Sequence, residues 1–398
     1  MRAHLVVSTL LLSLSATALA AQRSPDSVRV RSTRTRKLSS RVDGGVDYDD
    51  NVFLLPDAKK GDLQAPSASE LISQRYALME SPTDVIATLR AAVSLQGDGL
   101  GGRDLSITPA VGYESYAQNA ERRNVSLSLA LAQDLRRDGR IRLRAGFLPT
   151  YYARNYLSDA VDVNANGSIT SAERRYARGD YSELGVELDY RYRLLRARRS
   201  RPLGAFLDIG VGYASRRHDA PFTARDFTGP TAALRLELSP RRGLDFETSY
   251  EAAFLDSPIR SQVILLDEPA FGEDLNGNGN ATDLNARTVQ TVDRSRAEHV
   301  IGQAMRVDLG RTDVELSVRY RLRNFTSSQP YDVANNGRRD RRLQLGAELS
   351  RRLVKDLRLV TGVRYGSQRL NRRTDLGAEG AVDDYTQLQA QIGLRYTP

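Results

Sequence analysis

The chain contains no cysteine and no tryptophan, and only three histidines among its 398 residues. Without cysteine, disulfides, thiolate metal sites and lipid attachment through a thiol are excluded. Beyond the N-terminal segment only His218 and His299 remain. Hydrolases that use a histidine need it oriented by an acid and placed against a nucleophile. His218 has Asp219 beside it but no serine in a matching arrangement, so no enzyme is expected. Lysine is confined to Lys37, Lys59, Lys60 and Lys355, which leaves arginine to carry the net charge of +9.

Long apolar runs are missing too, except at the start. Arg2, the apolar stretch Leu5 to Ala16 and the small-residue pattern Ala18-Leu19-Ala20 have the form of a secretory signal spanning 1–20. After it no apolar run is long enough for a transmembrane helix, which needs roughly 20 residues. A mean hydropathy of −0.46 and 27% charged residues suit a soluble protein and a membrane barrel alike. Only every second residue of a barrel strand must face lipid. Residues 21–40, rich in Ser, Thr and Arg, read as a flexible basic lead-in.

From 41 to 398 one pattern repeats. In the segment 314–323, Val314, Leu316, Val318, Tyr320 and Leu322 oppose Glu315, Ser317, Arg319, Arg321 and Arg323. A period of two marks a strand with one apolar and one polar face. Fourteen such segments are predicted: 41–49, 83–96, 105–118, 125–137, 141–157, 181–195, 203–219, 228–239, 244–257, 297–310, 314–327, 341–353, 357–371 and 385–398. Short connectors alternate in order with longer or more variable ones. A sandwich or propeller has no need of that alternation, whereas outer-membrane barrels combine short periplasmic turns, long outer loops and an even strand number. The expected fold is all-β: a closed antiparallel transmembrane β-barrel of about 14 strands.

The polar parity would line the interior with Arg142, Arg144, Glu187, Asp189, Arg191, Arg193, Arg235, Glu237, Arg306, Asp308, Glu315, Arg319, Arg321, Arg358, Arg364 and Arg395. Such rows select polar or anionic solutes, or pair with one another and stiffen the wall. Tyr113, Tyr116, Tyr151, Tyr152, Tyr181, Tyr250, Tyr331, Tyr385 and Tyr396 lie near segment ends, as an interfacial aromatic belt requires, the alternative being that they pack as ordinary strand aromatics. Arginine pairs at outer strand ends (122/123, 174/175, 216/217, 338/339 and 372/373) are candidates for lipopolysaccharide phosphates, the alternative being a solvated rim. Tyr396, two residues before the end, is a displaced version of the terminal aromatic read by barrel insertion machinery. Basic grooves interleaved with aromatics are absent, so nucleic acid is not an expected partner.

Val46-Asp47-Tyr48-Asp49-Asp50-Asn51-Val52-Phe53 resembles the first-strand segment of outer-membrane β-barrel porin families of the type-2 kind. Some members accompany polysaccharide export systems; the resemblance implies a barrel and names no cargo. Residues 162–173 resemble the twelve-residue calcium loop of EF-hand and dockerin-like proteins. Asp162, Asn164, Asn166, Ser168, Thr170 and Glu173 stand at ligand positions, with Gly167 at the sharp turn. A second copy keeps Asp274, Asn276, Asn278, Gly279 and Thr282, with Asn280 at the backbone-ligand position, but has Asn285 in place of the bidentate carboxylate, so full coordination would need Asp283 to compensate. Both fall in connectors assigned to the outer side, where Ca²⁺ would order a long loop. A third fragment, Asp332 to Gly337, reads as a turn. The functional expectation is a passive channel for small polar or anionic solutes; the alternative is a structural, adhesive or export-associated barrel without a diffusion pore.

Overall fold

A strand that turns one face to an apolar medium cannot leave its N–H and C=O groups unpaired, and only a closed sheet pairs all of them. The structure, a computed structural model, shows that closure. It describes residues 37–57, 60, 63, 74–136, 138–158, 175–195, 203–258, 260–265, 287–328, 332, 335–371 and 384–398. The strands are β1 (Lys37–Asp49), β2 (Asp84–Asp98), β3 (Asp104–Tyr116), β4 (Asn124–Arg136), β5 (Gly139–Ser158), β6 (Arg175–Leu195), β7 (Gly204–His218), β8 (Phe227–Arg241), β9 (Leu244–Leu255), β10 (Arg260–Leu265), β11 (Arg287–Val292), β12 (Arg296–Asp308), β13 (Thr312–Phe325), β14 (Arg339–Val354), β15 (Leu357–Asn371) and β16 (Tyr385–Tyr396).

Fourteen of these form one closed antiparallel barrel in sequence order, with β9 passing directly to β12 and β1 pairing with β16. β10 and β11 form a separate two-stranded ribbon inside the β9–β12 connector. They were not expected, because six residues are too few to cross the hydrocarbon. Observed bounds lie close to the predicted ones. The largest shifts are at β6, which starts at Arg175 rather than 181, and at β1, which starts at Lys37 and so takes the last residues of the expected lead-in. The expected signal segment, 1–20, lies outside the described residues.

Tight turns close one end. Arg241 pairs with Leu244 across a two-residue turn in which Gly243 has φ 76°, and Gly310 has φ 85° between β12 and β13. Left-handed values of this kind carry a steric penalty for any residue with a Cβ. Bulges sit where β5 and β6 extend past their neighbours, between Leu148 and Tyr151 and between Tyr152 and Arg154. There they re-aim side chains at the outer end.

The seam between first and last strands runs from Val42↔Tyr396 to Asp49↔Gln389. Its outer end is clasped by the residues of the Tyr48-Asp49-Asp50-Asn51 motif. The Asp49 carboxylate accepts from Gln387 Nε2 (2.9 Å), Gln389 Nε2 (2.8 Å) and the Asn51 backbone N–H (2.9 Å). Asp50 accepts from the Leu388 N–H at 2.7 Å. Asn51 Nδ2 donates to the carbonyls of Leu55 (2.9 Å) and Thr386 (3.1 Å), while its Oδ1 accepts from Leu55 N–H at 2.8 Å. This holds Leu54 at φ 52°.

The distribution of side chains inverts that of a water-soluble core. Val186, Leu188, Ile209, Val211, Leu316 and Val318 are exposed on the outer surface, whereas Arg342, Asn51, Asp49 and Asp84 are among the most deeply buried side chains. No helix among the described residues is long and apolar enough to cross a membrane.

Candidate functional site: the barrel interior and its outer mouth

Alternation divides every strand into outward and inward residues, and the inward ones differ around the barrel. On β2 to β4 the interior carries mostly small side chains, such as Ser94, Thr108, Ala110, Ser126 and Ser128. On β5 to β9 it is dense with charge. Arg144 Nη2 donates to Asp189 (2.6 Å) and Glu187 (3.1 Å). Arg142 donates to Asp208 at 2.7 Å and stands 3.9 Å from Asp189. Arg191 lies 3.6 Å from Asp208 and donates to Glu237 at 2.7 Å. The chain of contacts runs from β5 to β8. A further pair, Arg235 with Glu247 at 3.4 Å, extends it to β9.

The remaining predicted lining residues differ in their settings. Arg319 pairs with Glu251 at 2.6 Å, Arg395 with Asp43 at 3.0 Å, Arg306 with Glu315, and Arg358 with Asp313. Arg193 reaches Asp138 only at 3.9 Å, at the end of its strand. Asp308 serves a turn, accepting the Gly310 N–H at 2.7 Å. Arg321 is buried beside Arg342, whereas Arg364 is exposed within the interior. The acids that complete the pairs (Asp43, Asp208, Glu247, Glu251 and Asp313) share the inward parity and were readable from the alternation. Which arginine each meets was not, since Arg142–Asp208, Arg191–Glu237 and Arg319–Glu251 each skip a strand.

At the outer end the segment after β1 folds into the mouth. Val52, Phe53 and Leu55, with Tyr76 and Met79, pack against Ile86, Tyr116 and Tyr152. Asp84 anchors the facing turn, accepting the N–H groups of Ala117 (3.0 Å), Gln118 (3.1 Å) and Asn119 (2.9 Å). Asp57 takes the Thr386 N–H at 3.1 Å on one side of the mouth, and Gln74 takes Asn155 Nδ2 at 2.9 Å on the other. The described parts of this segment therefore meet the wall at β16 and at β5.

This packing corrects the aromatic assignment. Tyr116, Tyr151, Tyr152, Tyr181 and Tyr385 are buried, because their parity or a neighbouring bulge turns them away from the outer surface. Tyr113, Tyr250 and Tyr396 do face outward, joined by Tyr48, Tyr190, Tyr192, Tyr213, Tyr320 and Tyr365. Tyr331 lies outside the described residues.

The arginine pairs are corrected on the same ground. In each of the three pairs whose side chains are described, one arginine is engaged by the protein and the other is exposed. Arg122 is buried, its guanidinium 4.6 Å from the Phe53 ring and 4.8 Å from that of Tyr151. Arg216 donates to Glu183 at 2.6 Å, and Arg338 to Asp340 at 2.8 Å. Arg123, Arg217 and Arg339 remain exposed. The side chain of Arg175 and the residues Arg174, Arg372 and Arg373 lie outside the description.

His218 Nδ1 is 3.3 Å from Asp226, not Asp219, and its ring packs against Tyr181 at 5.4 Å. His299 stacks on Tyr250 and shares a 2.9 Å hydrogen bond with its hydroxyl. The calcium-loop residues Asp162, Asn164, Asn166, Ser168, Thr170 and Glu173, and Asp274, Asn276, Asn278, Asn280, Thr282 and Asn285, lie outside the described residues. Their flanks do not: Ser158 pairs with Arg175, and Leu265 with Arg287, so each motif connects two paired strands. Asp332 is a turn residue, as expected, accepting from Asp293 N–H (2.8 Å), Ser327 Oγ (2.9 Å) and Asn335 Nδ2 (2.9 Å).

Fold and lining together define the class: a closed, even-stranded antiparallel β-barrel, apolar outside and polar within. Solved structures similar to it include the outer membrane channel DcaP of Acinetobacter baumannii, at 8% identity over 93% of this chain and 99% of that one, with a TM-score of 0.43. An anion-selective porin from Comamonas acidovorans is similar at 12% identity over 92% and 100%, TM-score 0.35. A bacterial polysaccharide outer membrane secretin is similar at 11% identity over 90% and 97%, TM-score 0.38. No protein-family model and no curated protein matches the chain, so the porin-family and calcium-loop resemblances rest on their own residues.

Proposed function

We propose that this chain is an outer-membrane channel through which small polar or anionic solutes diffuse passively. The observation that carries the reading is the inside-out closed barrel. Its exposed outer residues form an apolar girdle far larger than a water-soluble monomer tolerates, and its inner wall is charged and hydrogen-bonded. The secretory signal supports export, and Tyr396 supports recognition by barrel insertion machinery. Arg123, Arg217 and Arg339, exposed at outer strand ends, are the residues for lipopolysaccharide phosphates. Most lining arginines are matched by acids, so the wall as a whole favours polar solutes, and an anionic preference falls to the arginines that exceed their partners.

Purified protein in planar bilayers is expected to conduct in discrete steps. Folded protein that inserts and stays silent would instead establish a structural or adhesive barrel. Calcium is part of the proposal: residues 162–173, and less completely 274–285, bind Ca²⁺ and cross-link two outer loops. Chelation is expected to lower the melting temperature of the wild type and leave an Asp162→Ala, Glu173→Ala variant less affected. Equal responses from the two proteins would remove the first site.

A further inference from the structure

On β13 and β14 two buried arginines stand side by side in the interior. Arg321 and Arg342 are direct cross-strand partners in the β13–β14 register, both inward and only 7% and 2% exposed. Like charges in that position repel, and burial removes the water that would screen them. The nearby acids are shared: Glu298 also attracts Arg321, and Asp49 attracts Arg342. Glu298 accepts from Arg296 (2.7 Å) and Arg323 (2.9 Å), Asp340 from Arg338 (2.8 Å), and Glu251 from Arg319 (2.6 Å). Arg342 donates through Nη2 to a neutral group, Gln387 Oε1, at 2.9 Å. That amide turns its own NH₂ to Asp49 at 2.9 Å.

The other donors of Arg342 are left over. Nε and Nη1 are buried and have no hydrogen-bond acceptor among the described residues. An arginine cannot shed its proton to escape this situation. Its guanidinium lies over Gly366, where an added Cβ would stand 3.5 Å from Nη2 and 3.8 Å from Nε. On β15, Arg364 faces the interior opposite Gly346 and is exposed. A deep cationic group with two vacant donors therefore sits behind an accessible one.

We infer that this cluster is a binding site for a small oxyanion, a phosphate or carboxylate group, held by Arg342 beside Arg321 and approached past Arg364. An anion there would satisfy the vacant donors and offset the cross-strand repulsion at once. An ordered water would do only the first. The inference deepens the proposed anionic preference by naming the group bound and the residues that bind it. It does not require an open pore.

The test is calorimetric titration of folded, detergent-solubilised protein with inorganic phosphate and, separately, with succinate, in sodium chloride buffer. The wild type is expected to give saturable binding of at least one of them, weakened at least tenfold in Arg342→Gln and unchanged in Arg103→Gln, a surface control in the β2–β3 turn. Phosphate alone would assign the site to phosphate groups, and succinate alone to carboxylates. Melting curves provide a second readout. With both anions absent, Arg342→Gln is expected to melt no lower than wild type because a like-charge contact is gone, and to lose the anion-dependent rise. Arg321→Gln, with the same expectation for binding, substitutes if Arg342→Gln does not fold. No saturable heat with either anion, or equal affinity in wild type and variant, overturns the site. Conductance is not read, so this result and the channel reading stand or fall separately.

Discussion

Asn51 uses both ends of its amide to fold the chain back on itself at the top of the barrel seam. Asn51→Ala strands a buried Leu55 N–H and two carbonyls. Each buried polar group left without a partner costs about 1–3 kcal/mol. The variant is expected to lose its heat-resistant gel mobility at a lower temperature than wild type, and an unchanged transition would show that the clasp is ornamental. Asp208 is a second single-residue test, because it stands between Arg142 and Arg191. Removing one partner of a fully buried ion pair costs roughly 3–5 kcal/mol; next to a polar interior the cost should be smaller. Asp208→Asn is therefore expected to fold, to melt lower, and to move the reversal potential in a salt gradient toward anions. A move toward cations would contradict the assignment of Asp208 to the channel wall.

A single strand already carries the difference between lipid side and interior. Val186 is outward on β6 and Ser128 inward on β4. Arginine on the lipid face near the midplane costs about 2–4 kcal/mol, so Val186→Arg is expected to insert poorly into vesicles. Ser128→Arg should insert normally and lower the conductance. Equal insertion of the two would refute the parity. At this scale the sequence was nearly sufficient, and the bounds of the barrel strands were legible to within a few residues. The exceptions have local causes. β10 and β11 are too short to read as spanning strands. Tyr151 and Tyr152 sit among bulges that reset the alternation, and a bulge leaves no mark in a pattern of apolar and polar letters. The arginine pairs misled because each was treated as a unit: Arg216 and Arg217 point apart as neighbours in a strand, and Arg122 is turned in by a 3-10 turn.

Closure is a property of the whole chain and can be tested as one. Val46 on β1 faces Ile392 on β16 across the seam, and the native chain has no cysteine to interfere. Oxidised Val46→Cys, Ile392→Cys protein is expected to form one intramolecular disulfide only when folded, altering its mobility on a non-reducing gel after boiling. Failure to cross-link in folded protein would mean that first and last strands are not neighbours. What the sequence determined by itself is the facing of each side chain, because the two-residue repeat of a strand is local geometry and needs no distant contact. What only the tertiary structure decided is which groups meet. The Asp49–Gln387 clasp joins opposite ends of the chain, and the vacant donors of Arg342 appear only once β14, β15 and β16 are set side by side. Register and closure bring those strands together, and both are settled by the sum of pairings around the barrel rather than by any segment alone.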